Sequence, residues 1–128
     1  MTPILKWKIP VKTVSEANCS EHWTKKKKRH DIQKKWVWLF FNREGHFIPL
    51  PCKIKLTRIG KKILDSDNLP TSMKWIRDAI ADSIFTGLAP GRADDNHNLF
   101  WQYSQQVGKE YGVIVEFFDL KDPKPDMK

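Results

Sequence analysis

Residues 64–85, LDSDNLPTSMKWIRDAIADSIF, combine a crowded acidic turn with a strongly periodic apolar pattern. On a helical wheel at about 100° per residue, the apolar side chains form one continuous stripe and the polar side chains lie opposite. The pattern predicts an amphipathic helix that begins after Asn68 and packs on the core through one side. The stripe consists of Leu69, Met73, Ile76, Ile80 and Ile84, and the opposite column of Asp67, Thr71, Lys74, Asp78 and Asp82.

The acidic turn holds Asp65, Asp67 and Asn68 in a chain whose formal net charge is +8. Because Asp65 and Asp67 are two residues apart, an extended backbone would direct both carboxylates to the same side. Asp67 or Asn68 can cap the helix, whose first turn holds Pro70. A cap uses only one side chain, however, and two neighbouring carboxylates repel unless a proton or a cation lies between them. Hard oxygen ligands without nearby His or Cys favour Mg²⁺ or Mn²⁺ over zinc, so the turn is a candidate site for these ions.

A second acidic pair, Asp94 and Asp95, ends a loop rich in glycine and proline that can fold back beside the first pair. A divalent cation held by carboxylates activates water and stabilises the charge that develops when a phosphodiester is cut. Lys74 falls beside Asp67 on the wheel, where an ammonium group would assist that chemistry. The pattern therefore indicates metal-dependent hydrolysis of a polyanion.

The charge distribution points to the same partner. Residues 1–62 carry a balance of +12 and residues 63–128 a balance of −4. Residues 20–41 lack Gly and Pro, and they predict a helix with Ser20 as N-cap and a very basic first half. Such a run is either a solvated helix face or a phosphate-binding surface; beside an acidic metal cluster the second interpretation is favoured. The predicted DNA contacts are Lys25, Lys26, Lys27, Lys28, Arg29, Lys34 and Lys35.

The remaining segments predict strands. Residues 3–10 and 47–62 alternate apolar and basic side chains, and residues 99–107 and 111–118, joined by a short turn, predict a hairpin. The order β-α-β-α-β-β predicts a single α+β domain over residues 1–120, a mixed sheet with two main helices packed on it. Residues 121–128 are expected to form a flexible tail. The run WVWLFF, residues 36–41, would suit a strand as well as a helix.

The cysteines, the apolar runs and the tryptophans indicate the cellular compartment and the packing of the chain. Cys19 and Cys52 do not form a CxxC pair and favour a reducing compartment. No apolar run approaches the roughly 18 residues of a membrane span, so no membrane partner is expected. The tryptophans at positions 36, 38, 75 and 101 are interpreted as core or dimer contacts.

The segments DSDNLPTSMKWIRDAIADSI, ADD, WQYSQ and YGVIVEF together resemble the RusA-like family of phage and bacterial Holliday-junction resolvases, especially the phage-encoded branch. The resemblance extends over roughly residues 14–117. It implies a homodimeric, Mg²⁺-dependent endonuclease, with Mn²⁺ as a substitute, that binds branched four-way DNA and nicks opposing strands symmetrically. It also implies the cytoplasm of a bacterial host cell, with the gene carried by a phage or prophage.

Residue by residue, the resemblance implies that Asp65, Asp67 and Asp95 are catalytic metal ligands, with Asp94 beside them. The family's functional lysine falls four residues after the second Asp, where this chain has Thr71; Lys74 takes the role if three residues are inserted. The alternative is a non-catalytic DNA- or RNA-binding module whose acidic cluster is structural.

Overall fold

The computed structural model describes residues 2–14, 23–44, 48–86 and 93–121. Within these ranges four strands form one mixed sheet, and two main helices pack against each other and on the sheet. This arrangement confirms the predicted α+β class. The elements are β1 (Leu5–Ile9), α1 (Trp23–Glu44), β2 (Cys52–Gly60), α2 (Asn68–Ser72), α3 (Lys74–Ile84), a 3₁₀ turn (Ala93–Asp95), β3 (Leu99–Val107) and β4 (Gly112–Asp119).

Strand β2 supplies the centre of the core. Cys52, Ile54 and Leu56 are fully buried, whereas Lys53 and Lys55 are only partly covered. This is the predicted alternation, because successive side chains of a strand point to opposite faces of the sheet.

The strand order is β1-β4-β2-β3, and β2 pairs parallel with β3 and antiparallel with β4. The predicted hairpin of the last two strands is therefore wrong, because β2 lies between them. Residues 108–111 cross the end of β2, where the Gly108 N–H donates to the Gly60 carbonyl at 3.0 Å. A four-residue link spans up to about 13 Å, which suffices to cross two strand spacings of about 5 Å each.

Helix α1 differs in detail from its prediction. It ends at Glu44 rather than at residue 41, and the predicted N-cap Ser20 lies outside the described residues. The ambiguous run of residues 36–41 is helical. Among the described side chains of α1, Gln33 and Val37 are buried, whereas Ile32 is 45% exposed.

The last turns of α1 dock on the sheet through an aromatic cluster. The Trp7 ring stacks on Phe40 at 5.3 Å and meets Phe41 edge-on at 4.8 Å, and Phe117 of β4 closes the cluster at 5.1 Å from Trp7. Such pairs add to the hydrophobic effect of burial and fix the position of the helix end.

The predicted second helix is divided in two at Met73, whose backbone (φ −112°, ψ 10°) is not helical. The Ser72 hydroxyl donates to the Leu69 carbonyl at 2.7 Å, and the Met73 N–H turns to the Pro70 carbonyl at 3.1 Å. Leu69 would accept from Met73 in a continuous helix, so the serine competes for the bond that would propagate it. The apolar stripe is confirmed nonetheless, since Leu69, Met73, Ile76 and Ile80 are all buried.

Within the described ranges, no helix has both the length and the apolar character needed to cross a membrane. Residues 122–128, most of the predicted flexible tail, lie outside those ranges.

Candidate active site and nucleic-acid surface

Asp65 and Asp67 lie in the turn between β2 and α2, and both are exposed. Asp67 occupies the N-cap position of α2, but its carboxylate makes no capping hydrogen bond. The turn is closed instead by the Asp65 carbonyl, which accepts the backbone N–H groups of Asn68 at 2.9 Å and Leu69 at 3.1 Å. Asp67 is thus not used as a cap, and its carboxylate remains accessible to a ligand.

The residue before this turn is fixed to the edge strand β3. The Leu64 N–H donates to Gln105 Oε1 at 2.9 Å, and Gln105 Nε2 donates to the Leu64 carbonyl at 2.8 Å. One side-chain amide thereby satisfies both backbone groups of Leu64, as a neighbouring strand would. The acidic turn is therefore attached to the sheet and does not hang from a free loop.

The second acidic pair lies in the 3₁₀ turn, and its two members differ. The Asp94 side chain is 18% exposed and the Asp95 side chain 89% exposed. Arg77 Nε lies 3.2 Å from Asp94 Oδ2 as an ion pair, whereas the nearest Arg77–Asp95 approach is 4.0 Å. Asp94 is engaged by Arg77, whereas the Asp95 carboxylate is largely exposed.

Asp78 was expected in the exposed polar column, and this placement is wrong, since the residue is only 8% exposed. Burial raises the pKa of its carboxyl to about 6; the negative charges of Asp94 and Asp82 add to the rise, and Lys74 and Arg77 oppose it. A helical wheel could not reveal this position, because it shows which residues share a face of α3 but not that the distant Ala93–Asp95 turn packs on that helix.

Lys74 is the first residue of α3 and is exposed. Its Nζ lies over the Trp75 ring, 5.0 Å from the centroid. The expectation that Lys74 stands beside Asp67 depended on an unbroken helix, which the structure does not have. Its catalytic role stays a prediction that derives from the family resemblance.

The donor chemistry of Asp65, Asp67 and Asp95 fits Mg²⁺, because all three offer hard carboxylate oxygens. The part of the chain that the structure describes contains no group of three His, Cys, Asp or Glu side chains close enough to hold one ion. The individual ligands are therefore suitable, and their joint coordination of one ion stays a prediction.

The basic residues of α1 border two surface grooves. One, of about 320 Å³, is lined on the helix side by Lys25, Lys28 and Arg29. The other, of about 400 Å³, includes Lys27 and Lys35, and Lys27 donates to Asp31 at 2.8 Å. The predicted cations thus spread around α1 instead of forming one stripe. Lys26 is partly covered, and Lys34 places its Nζ 5.1 Å from the centroid of the Trp75 ring.

Sequence reasoning missed three residues that shape these sites. Lys12, in the connection after β1, lines the first groove opposite α1. Gln105 and Arg77 fix the acidic turns through partners 41 residues away and 17 to 26 residues away, respectively. No local pattern signals such contacts, because they depend on how distant segments are brought together.

The four tryptophans interpreted as core or dimer contacts have different environments. Trp36, Trp75 and Trp101 are partly covered, whereas Trp38 is 61% exposed and lines a groove between α1 and α3. A core role is therefore wrong for Trp38. The Trp75 ring stacks on His30 at 4.1 Å and joins α3 to α1.

Comparisons with protein-family models, curated proteins and solved structures gave no match to this chain.

Proposed function

We propose that the protein is a Mg²⁺-dependent, structure-specific endodeoxyribonuclease that resolves four-way DNA junctions by paired nicks in opposing strands, in recombination and repair. The proposal rests on the resemblance of the acidic segments to the RusA-like resolvases, together with the exposure of their carboxylates. It places the enzyme in the cytoplasm of a bacterial host, encoded by a phage or prophage.

The single observation that carries the proposal is the accessibility of the Asp67 carboxylate. Its carboxylate is exposed, stands at a helix start and makes no capping hydrogen bond. Two exposed carboxylates in one short turn repel each other, although the chain as a whole has a formal net charge of +8. A ligand cation removes that repulsion, so the turn is better explained as a binding site than as a cap.

In the proposed site Asp65, Asp67 and Asp95 hold the ion, which when bound supplies an activated water and neutralises charge at the phosphate. The chain does the positioning. Gln105 fixes the approach to Asp65, and Lys74 offers an ammonium group to the developing negative charge. The cations of α1 bind backbone phosphates without reading base edges, so that DNA shape, more than sequence, selects the substrate.

Paired nicks require two copies of the site. A homodimer with a two-fold axis would match the symmetry of a four-way junction and present one site to each of two opposing strands. An interface through residues 25–35 of α1 is disfavoured, because two such cationic surfaces would repel.

The direct test is Asp67→Asn, assayed for nicking of a four-way junction with and without Mg²⁺. Loss of Mg²⁺-dependent nicking with junction binding retained is expected, since the amide keeps the shape of the side chain but not its charge. Glu110→Gln, which neutralises an exposed acid in the β3–β4 connection, is the matched control and should cut normally. Full activity of the Asp67→Asn protein would refute the assignment.

A second candidate is a DNA- or RNA-binding module that does not cut. The observation that favours it is the lack of three grouped metal ligands in the described part of the chain. It predicts binding that weakens steeply with salt and does not lead to cleavage with Mg²⁺ or Mn²⁺. Four-way junction, flap and linear duplex, assayed side by side with each ion, separate the two candidates and identify the preferred substrate.

A further inference from the structure

Arg77 connects α3 to the second acidic turn and to strand β3. Its side chain is 24% exposed, and its Nη1 donates to the Tyr103 hydroxyl at 2.8 Å. Its guanidinium also lies over the Trp101 ring, 4.8 Å from the centroid. The planar fork of an arginine can serve these partners together, which a lysine ammonium cannot do.

The same guanidinium holds Asp94 at two points. Nε pairs with the carboxylate at 3.2 Å, and Nη2 donates to the backbone carbonyl at 3.4 Å. Trp101 Nε1 donates to that same carbonyl at 3.0 Å. Both the side chain and the backbone of Asp94 are therefore fixed, and Asp95 follows on a turn whose position is set.

As a result of this arrangement, the side chains of Asp94 and Asp95 differ in their exposure to solvent. The Asp94 carboxylate faces Arg77. The Asp95 side chain is instead 89% exposed and comes no closer than 4.0 Å to Arg77 Nη2. Two neighbouring aspartates thus have separate tasks, one anchored internally and one directed to solvent.

We propose that Arg77 is a positioning residue: it fixes Asp94 as the anchor of the Ala93–Asp95 turn, so that Asp95 alone of the pair is presented to the divalent cation. This inference rests on the proposed function, because it concerns the ligand set of the same site. It goes beyond it in assigning a structural task to Asp94 and a positioning task to Arg77, which Tyr103 and Trp101 support.

A rival role for Arg77 makes the opposite prediction. If the arginine simply neutralised the acidic pair, its removal would increase the negative potential and strengthen cation binding. If it positions Asp95, its removal weakens binding, and Arg77→Lys also weakens binding although the charge is kept. The sign of the change distinguishes the two roles.

The experiment measures Mn²⁺ binding to the full chain by electron paramagnetic resonance, without DNA. Arg77→Lys and Arg77→Gln should each weaken Mn²⁺ binding about 10- to 100-fold, as loss of a residue that orients a metal ligand does. Tyr103→Phe, which removes one partner and no charge, should weaken it less and guards against a misfolded arginine variant. Unchanged or tighter binding in both arginine variants would overturn the inference.

A matched pair of ligand variants tests the division of tasks. Asp95→Asn should lose at least about tenfold in Mn²⁺ affinity, and Asp94→Asn should lose less, because its backbone carbonyl still accepts from Arg77 Nη2 and Trp101 Nε1. The reverse order would overturn the assignment. Hydrogen exchange of the Trp101 indole N–H adds a readout that needs no metal. The exchange should accelerate in Arg77→Lys, and an unchanged rate would contradict the positioning role of Arg77.

Failure of the inference can be told from failure of the proposed function. A wild-type chain that binds no Mn²⁺ and cuts no junction overturns both. A wild-type chain that binds Mn²⁺ and cuts, with arginine variants that bind equally well, overturns only the inference.

Discussion

Leu64 and Gln105 form a reciprocal pair of hydrogen bonds, 2.9 Å and 2.8 Å long, between the backbone of one and the side-chain amide of the other. The pair joins the residue before the acidic turn to the edge strand β3. Since each bond is partly buried, replacing Gln105 leaves an N–H and a C=O of Leu64 without their partners.

Gln105→Ala is therefore expected to lower the free energy of unfolding by about 1–3 kcal/mol. It should also weaken Mn²⁺ binding, because the carboxylates of Asp65 and Asp67 then lie on a loosened turn. Urea denaturation and Mn²⁺ titration measure the two effects. Gln106→Ala, at the exposed neighbouring position, is the control and should behave as wild type; equal behaviour of the two variants would contradict the role of the pair.

The buried carboxyl of Asp78 makes the stability of the folded protein depend on pH. Its pKa is raised to about 6 in the folded state, chiefly by burial, from an ordinary value of 3.8. The folded state then binds more protons than the unfolded state between these values, so stability falls as pH rises from about 4 to about 6. The loss is at most about 3 kcal/mol, at 1.36 kcal/mol per pKa unit.

Asp78→Asn should remove this slope and make the protein more stable than wild type at pH 7, because the amide has no charge to desolvate. Urea midpoints from pH 4 to pH 8 measure it. Asp31→Asn is an informative comparison, since a hydrogen bond from Lys27 lowers the pKa of Asp31 and its contribution is lost as pH falls. A wild-type stability that rises between pH 4 and pH 6, with no change in slope on Asp78→Asn, would contradict this account.

Sequence patterns predicted the elements better than their connections. The stripe from Leu69 to Ile80 and the alternation of β2 follow directly from burial on one side, so they were correctly placed. The pairing of β3 and β4 was wrong because alternation identifies a strand but not its neighbour, and a short link favours a hairpin by default. In the site, the exposed acids were visible in the sequence, whereas the anchors Gln105 and Arg77 were not.

The break at Met73 was missed for a related reason. The periodic pattern assumed one helix, and a single hydrogen bond from Ser72 to the Leu69 carbonyl is enough to interrupt the ladder. Ser72→Ala removes that bond. We expect it to lengthen helix α2 toward α3 and to protect the Met73 N–H from hydrogen exchange, which nuclear magnetic resonance can follow. An unchanged exchange rate at Met73 would show that the break has another cause.

Arg58 continues the core-facing side of β2 and is only 5% exposed. Its Nε and Nη2 donate to the Thr13 carbonyl at 3.4 Å and 3.2 Å, and its Nη1 donates to the Lys62 carbonyl at 2.9 Å. It thus joins the segment before α1 to the segment before the acidic turn. Because these carbonyls satisfy the guanidinium within the described part of the chain, Arg58→Met leaves both acceptors without this partner while keeping much of the side-chain volume.

The expected loss from Arg58→Met is about 2–4 kcal/mol, since bonds to a charged group contribute more than neutral ones. Lys55→Met, on the opposite face of β2, is the control and should change stability by no more than about 0.5 kcal/mol. Equal urea midpoints for the two variants would contradict the structural role of Arg58.

The groove between Lys12 and α1 makes a prediction about DNA. Lys12, Lys25, Lys28 and Arg29 surround it, and within the described ranges none of its lining residues is acidic. Each phosphate contact contributes roughly 0.9 to the slope of log K against log salt concentration for duplex DNA. Lys12→Gln and Lys28→Gln should therefore each reduce the slope by about 1.

Lys109→Gln, an exposed lysine in the β3–β4 connection, keeps the same net charge as either variant and should leave the slope unchanged. Binding to a four-way junction is measured with Ca²⁺ in place of Mg²⁺, so that cleavage does not interfere. The Lys12→Gln variant distinguishes DNA binding in the groove from binding along α1 alone, because Lys12 is remote in sequence from the basic run but lines the same groove. If Lys12→Gln matched Lys109→Gln while Lys28→Gln lowered the slope, the DNA would bind along α1 alone and not in the groove.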